Sequence, residues 1–227
     1  MDWLIPFSLP IIPLIALAFL AFLFFIFFVL PIKLAGRAFE KSGVPRRYVF
    51  LVLMACLLGS GFDIPVAEVG GHGPVSPETI RYHSSNRGDF PNGHHGKTII
   101  AVNVGGAVIP ILVCAYLILR RGWNNRILWA VVIVSAVIHH LAVPVRGVGV
   151  TIPMFIPPIS AAVTAYLLAR RDAPRTAYIA GTLGTLIGAD LLNLGRVASL
   201  GAPVASIGGA GTFDGIFVTG IVAALLA

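Results

Sequence analysis

Charge is what this sequence has least of. Only 11% of its 227 residues are Asp, Glu, Lys or Arg, while 57% are hydrophobic and mean hydropathy is +0.93. A soluble domain carries about 25% charged residues to coat its surface. So sparse a charge excludes an ordinary soluble fold, a disordered chain and a free nucleic-acid binder. Cysteine is nearly absent: Cys56 and Cys114 are the only two, both inside apolar runs, so there is no disulfide framework and no redox compartment to read from them. No Cys–Cys pair has ligand spacing and no His-Glu-x-x-His occurs, so the common zinc motifs are missing too. Met1-Asp2 opens the chain without a basic stretch, and the apolar run that follows is far longer than a signal-peptide core. A retained span is expected there.

What is present is length of apolar run. A helix needs about 20 apolar residues to cross roughly 30 Å of hydrocarbon. Seven runs serve: 10–32, 48–62, 99–119, 127–145, 147–169, 176–195 and 197–227. The expected fold is therefore all-α, a polytopic bundle of about seven transmembrane helices. Residues 1–47 give the first span and a basic cytoplasmic loop, and 48–227 the membrane-embedded domain. Between them, 66–98 reads as a long extracytoplasmic loop rich in His, Gly and Pro.

Short loops rich in Lys and Arg stay cytoplasmic. Lys33, Arg37, Lys41, Arg46 and Arg47 follow the first run; Arg120, Arg121 and Arg126 follow the third; Arg170, Arg171 and Arg175 follow the fifth. This alternation predicts an N-terminus outside and a C-terminus inside, in the cell membrane. The net charge of +7 then faces anionic lipid, the expected partner, and leaves no nucleic-acid role.

With that orientation all six histidines and most acids fall on the outer side. Asp190 and Asp214 stand inside apolar runs, where an ionisable group costs several kcal/mol unless it meets a partner or water. Successive antiparallel helices are neighbours, so the two carboxyls are expected at similar depth, close enough to share a proton. That is the arrangement of an aspartyl hydrolase. The glycines around them (Gly188-Ala-Asp190; Gly211-Thr-Phe-Asp214) bring to mind the Gly-x-Gly-Asp intramembrane aspartyl proteases. The alternative is structural: Asp190 pairing with Asn193 or Arg196, and Asp214 capping its helix. Asn103 and the amides near Gly208 and Gly211 are candidate substrate donors, with Asn193 beside them. Arg146 and Arg196 either snorkel, pair with the acids or hold an anionic head group.

Gly59-x-Gly61-x-x-Ile64-Pro65 is echoed by Gly147-x-Gly149-x-x-Ile152-Pro153. Gly/Pro breaks in corresponding places are how transporters build sites from half-helices. A metal reading would draw on His139, His140 and His94, with His95 and His72 and with Asp63, Glu68 or Asp190 as further ligands. Adjacent helical residues point about 100° apart, though, so one of the helical pair hydrogen-bonding inside the bundle is the plainer expectation. No cofactor is called for.

The segments 103–110 (NVGGAVIP), 147–158 (GVGVTIPMFIPP), 181–193 (GTLGTLIGADLLN) and 206–220 (SIGGAGTFDGIFVTG) resemble a family of prokaryotic polytopic membrane proteins known as domain of unknown function 1614. The resemblance covers the chain from about Phe50 onward. It implies a bacterial or archaeal membrane location, marks Asn103, Asp190 and Asp214 as signature positions, and implies no reaction. Three functions follow as expectations: an intramembrane aspartyl-protease-like hydrolase acting on a membrane protein, a proton- or cation-coupled carrier of a small solute, and a non-catalytic scaffold or lipid-binding subunit.

Overall fold

A computed structural model describes residues 11–70, 97–145, 149–199, 204–209 and 215–227. The chain is mostly helical. Helices α1 (Ile11–Phe24), α2 (Leu30–Ser42) and α3 (Arg46–Gly59) lead into strands β1 (Asp63–Gly70) and β2 (Lys97–Asn103). Next come α4 (Ile109–Arg121), preceded by the π-helical turn Val104–Val108, then α5 (Asn125–Leu141) and the short strands β3 (Val143–Val145) and β4 (Gly149–Thr151). Helices α6 (Ile156–Ala169), α7 (Ala173–Thr185) and α8 (Leu194–Ser199), strand β5 (Val204–Ile207) and α9 (Gly215–Leu226) complete it.

Among the described residues two helical runs, Val104–Arg121 and Ile156–Arg196, are long and apolar enough to cross a membrane. The second is broken at its middle. Ala169 leaves helical geometry (φ −135°, ψ 33°) and Arg170–Asp172 form a 3-10 turn, so α6 and α7 fold back on one another and pack. Helix α7 is the axis of the bundle, in contact with α2, α4, α5, α6 and α9. Its composition explains this. Ala177, Ala180, Gly181 and Gly184 give it little width, so neighbouring backbones approach it closely. A Cβ on Gly184 would meet Val134 at 2.6 Å, and one on Gly188 would meet the Ser135 carbonyl at 2.5 Å, so both glycines face α5. Phe39, Leu117, Ile138 and Tyr178 fill the fully buried core around it.

The outer helices turn large apolar side chains away from this core. Phe50, Leu58, Leu112, Trp129 and Leu167 are all exposed, and Leu119 is 86% exposed. Apolar exposure on this scale marks a membrane or a protein interface.

Strands correct the all-helical expectation. Residues 99–119 were expected as one helix, yet β2 runs to Asn103 before the helix begins. The run Thr98-Ile-Ile-Ala-Val102 is rich in β-branched residues that suit a strand, and an apolar run that short looks alike in either state. The expected span 147–169 starts as β4 and becomes helical only at Ile156, where Pro157 and Pro158 occupy the first turn, the positions a helix tolerates. The run 197–227 is likewise no single helix, since β5 interrupts it. The ends of the predicted outer loop are strands: β1 and β2 pair antiparallel from Asp63↔Asn103 to Gly70↔Lys97. Strand β5 joins β2 in parallel, Ile99↔Val204 to Val102↔Ile207, giving the order β1-β2-β5. Ile100 and Ile207 from this sheet pack on Ala107, Leu186 and Ile216, which fastens it to the bundle. The first Gly-x-Gly echo closes α3 and opens β1, whereas the described part of the second supplies Gly149–Thr151 to β4.

Basic residues gather at the opposite end. Lys41 Nζ donates to the Leu225 carbonyl at 3.1 Å and Arg120 Nη1 to the Gly43 carbonyl at 3.0 Å. Asp172 accepts from Arg175 at 2.7 Å and from Arg121 at 3.4 Å. The connections after α2, α4 and α6 therefore meet the C-terminal end of α9 at one pole. Arg120 lies over Tyr116, Arg47 over Tyr48 and Arg170 over Tyr166.

Helix α3 and the turn Val104–Val108 cross at Gly59 and Gly105. A Cβ on Gly105 would overlap the Cys56 carbonyl oxygen and the Ser60 amide nitrogen. Gly105→Ala is expected to destabilise the fold by about 1–3 kcal/mol through overpacking, read as a lower unfolding temperature in detergent. Gly195→Ala, with no atom within 4 Å of the new methyl, serves as the neutral control.

Candidate functional site

The sheet end of the bundle, away from the basic pole, carries a connected set of polar side chains. Asn103 ends β2 and caps the helical turn that starts at Val104. Its Oδ1 accepts the Gly106 N–H at 2.8 Å, and its Nδ2 donates to the Ser60 carbonyl at 2.9 Å and to Asp63 Oδ1 at 3.0 Å. Asn is a favoured N-cap because a short side chain reaches the open N–H groups of a first turn. Only 1% of Asn103 is exposed, so these contacts decide whether it can be buried at all. Asp63 faces it across the strand pair and also accepts from Ser206 Oγ at 2.6 Å. A carboxylate beside a helix N-terminus is favoured by the partial positive charge there.

Asp190 is reached from another direction. It ends the π-helical segment Leu186–Asp190, half-buried, and its Oδ2 accepts the Gly208 N–H at 2.9 Å. Gly208 has φ +71°, and a Cβ there would lie 2.8 Å from both Ala107 Cβ and the Gly106 carbonyl carbon. Only glycine combines that backbone with that contact. The end of β5 is thereby pressed on the first turn of the 104–121 helix, with its amide aimed at Asp190. Ser206 and Gly208 are two residues apart, at most about 7 Å of chain, so one short segment anchors both Asp63 and Asp190.

Asn193 is fully buried where the helix departs from α geometry. Its Nδ2 donates to the carbonyls of Gly188 at 2.9 Å and Ala189 at 3.1 Å, both in the π turn. It also faces His139 Nδ1 at 3.3 Å, and its Oδ1 accepts from Arg196 Nη1 at 3.4 Å. His139 is half-buried and His140 exposed, as neighbours on a helix should diverge.

The predicted residues thus separate into groups. Asp190, Gly208, Asn103, Asn193, Arg196 and His139 gather at one pole. Within it, the Gly208 amide and the Asn103 side chain bond to the protein's own groups, and Arg196 to Asn193. Asp214, Gly211, Arg146 and His94 lie outside the described residues. No group of three or more His, Cys, Asp or Glu that could hold a metal occurs among the described residues. Sequence reasoning passed over Ser206 and Ser60, and considered Asp63 only as a metal ligand. Asp63 stands within the Gly59–Pro65 echo and Ser206 opens the quoted segment 206–220, but only the β2–β5 pairing brings them together.

In chemical terms the pole offers two carboxylates, each held by fixed hydrogen-bond donors, beside interrupted helices. Asn103→Ala removes the cap and both donated bonds, and is expected to cost about 1–2 kcal/mol or more; Asn103→Ser, which keeps a capping oxygen, should lose less. Unfolding temperatures of the two variants in detergent check the order.

No curated protein and no solved structure matches the chain. A family model described as a protein of unknown function, DUF1614, matches residues 57–226. That span takes in every strand, the bundle axis α7 and each polar residue of this pole. The chain belongs to this family.

Proposed function

We propose that this is a multi-pass protein of a bacterial or archaeal cell membrane, crossing it seven times with its basic pole in the cytoplasm. We further propose that its sheet-bearing pole is a carboxylate site serving a proton- or cation-coupled carrier of a small solute. The membrane reading is supported by the exposed apolar side chains and by the convergence of Lys- and Arg-bearing loops at one end. Tyr48, Tyr116 and Tyr166, each under an arginine, suit the aromatic level of a membrane–water interface. A C-terminal green fluorescent protein fusion should fluoresce, while the alkaline phosphatase fusion should be inactive. The reverse pattern would invert the orientation.

One observation carries the carrier reading. Asp63 and Asp190 are anchored to the same strand end, where the helices 104–121 and 173–196 depart from regular α geometry. Irregular backbone at membrane depth is tolerated where it lines a protein-buried or watery cavity, and carriers place coupling-ion sites at such breaks. A second reading, an intramembrane aspartyl-protease-like hydrolase on Asp190 and Asp214, draws on the Gly-framed acid at the end of a π turn, a feature frequent at functional sites.

Proteoliposomes loaded with a pH-sensitive dye separate these readings. With pooled small metabolites outside and an imposed potential, wild-type vesicles should acidify faster than empty ones, and Asp190→Asn should abolish the difference. Wild-type flux equal to that of empty vesicles would sink the carrier reading. Cleavage of a transmembrane peptide that both Asp190→Asn and Asp214→Asn eliminate would replace it with the hydrolase.

A further inference from the structure

Helix α2 carries charge where the bundle should meet lipid. Residues 33–42 were expected in a cytoplasmic loop, yet they continue the first helix through the π turn Phe25–Val29 without leaving helical geometry. Ala35, Ala38, Phe39 and Ser42 turn inward, which leaves Lys33, Arg37 and Lys41 exposed on the opposite side. At i, i+4 and i+8 they form one stripe, with Leu30 and Leu34, each 38% exposed, beside it.

Two contacts set the depth of this stripe. Ser42 Oγ donates to the Pro174 carbonyl at 3.3 Å, and the Phe39 and Tyr178 rings lie 5.5 Å apart, so α2 and α7 run antiparallel. With the same rise per residue on both helices, this register sets Arg37 beside Ala180 and Lys33 beside Gly184. Gly184 lies halfway along the stretch 173–196, against Val134 near the middle of α5. Lys41 is thus at the basic pole, whereas Lys33 is about 13 Å further in at 1.5 Å per residue.

Among the described residues neither Lys33 nor Arg37 has an ion pair, and Glu40, the acid on the same helix, is held by Arg46 at 3.0 Å. Snorkelling back to the basic pole is opposed by direction. Cα–Cβ bonds tilt toward a helix N-terminus, which on α2 points away from that pole. Lys33 Nζ accordingly lies over the Phe25 ring, 5.7 Å from its centre and two turns back. Cations at such depth are rare, and they pair with an opposite charge or face water inside a bundle.

We propose that the exposed face of α2 docks a second membrane protein through a transmembrane helix whose Asp or Glu side chains, one turn apart, meet Lys33 and Arg37. The proposal rests on the membrane reading, since it is lipid that makes unpaired cations costly. Leu30 and Leu34 supply apolar contact beside the charges. A lipid phosphate stays at the membrane surface, short of Lys33. A second copy of this chain, related by a two-fold axis across this face, would set each cation against its own like. An acidic helix meets both the charge and the depth.

Fluorescence energy transfer in phosphatidylcholine vesicles tests this. The donor is the full chain, and the acceptor a poly-leucine transmembrane peptide with two glutamates one turn apart at mid-depth, or with glutamines in their place. The glutamate peptide should associate several-fold more tightly, and Lys33→Gln with Arg37→Gln should remove the difference. Equal association of the two peptides with the wild-type chain overturns the proposal and needs no variant to fold. Displacement of the glutamate peptide by added phosphatidylglycerol overturns it in favour of anionic lipid. A nitroxide on Arg37→Cys, relaxed by oxygen or by a water-soluble nickel complex, reports the depth. A label in water overturns the membrane placement and the proposal with it; a label at hydrocarbon depth with equal peptide association overturns the proposal alone.

Discussion

Everything in this fold depends on a helix buried on all sides. Helix α7 carries Arg175, Thr176, Tyr178, Thr182 and Thr185 into the centre of the bundle alongside its alanines and glycines. A helix can be placed there only if its neighbours come close. A Cβ on Gly181 would press on Thr219 and Ala161 and one on Gly184 would overlap Val134, and Gly220 on α9 faces Tyr178 and Thr182. These contacts fix the positions of α5, α6 and α9. The surrounding helices turn large apolar side chains outward.

The two poles treat their polar groups differently. At the basic pole the ion pairs are mostly exposed: Arg46 and Glu40 are 89% and 39% accessible, and pairs of that kind contribute about 0–1 kcal/mol. Their consequence is placement, since they bring together loops that are distant in sequence. At the sheet pole the donors and acceptors, Arg196 apart, are buried or half-buried, and leaving a buried one unpaired costs about 1–3 kcal/mol. Asn103 and Asn193 each make several bonds there, to a helix start and to a helix break. Their removal should therefore be felt in the fold.

Much of this was legible in the sequence. The apolar runs marked helices, the Arg clusters marked loops that do meet at one pole, and the small residues of 181–193 marked the most closely packed helix. Asp190, Gly208, Asn103 and Asn193 were singled out by letter and lie at one pole. The sheet was not legible, for a physical reason. Thr98–Val102 and 204–207 are short apolar runs, and whether such a run is strand or helix is settled by what it pairs with. Strand β5 pairs with β2, about a hundred residues away. Ser206 consequently had no visible reason to matter, and Asp63 had no visible partner. The π turn before Asp190 was hidden as well, because an inserted helical residue leaves no mark in a hydropathy pattern.

That turn connects packing to chemistry. The sequence of 186–190 (LIGAD) offers no proline to forbid a regular α-helix, yet the segment is a π turn. A buried asparagine, Asn193, is committed to it through bonds to the Gly188 and Ala189 carbonyls. What changes is the direction of one carboxylate, away from the α5 side, where Gly188 lies against Ser135, and toward the Gly208 amide on the side of the 104–121 helix. Glycine at 188 allows α5 to close on the turned segment, and glycine at 208, in its left-handed conformation against Ala107, supplies the N–H that receives the acid. Asn193, Gly188 and Gly208 are thus three parts of one device for aiming Asp190, and its strength lies in the bonds around the aspartate as much as in the aspartate itself.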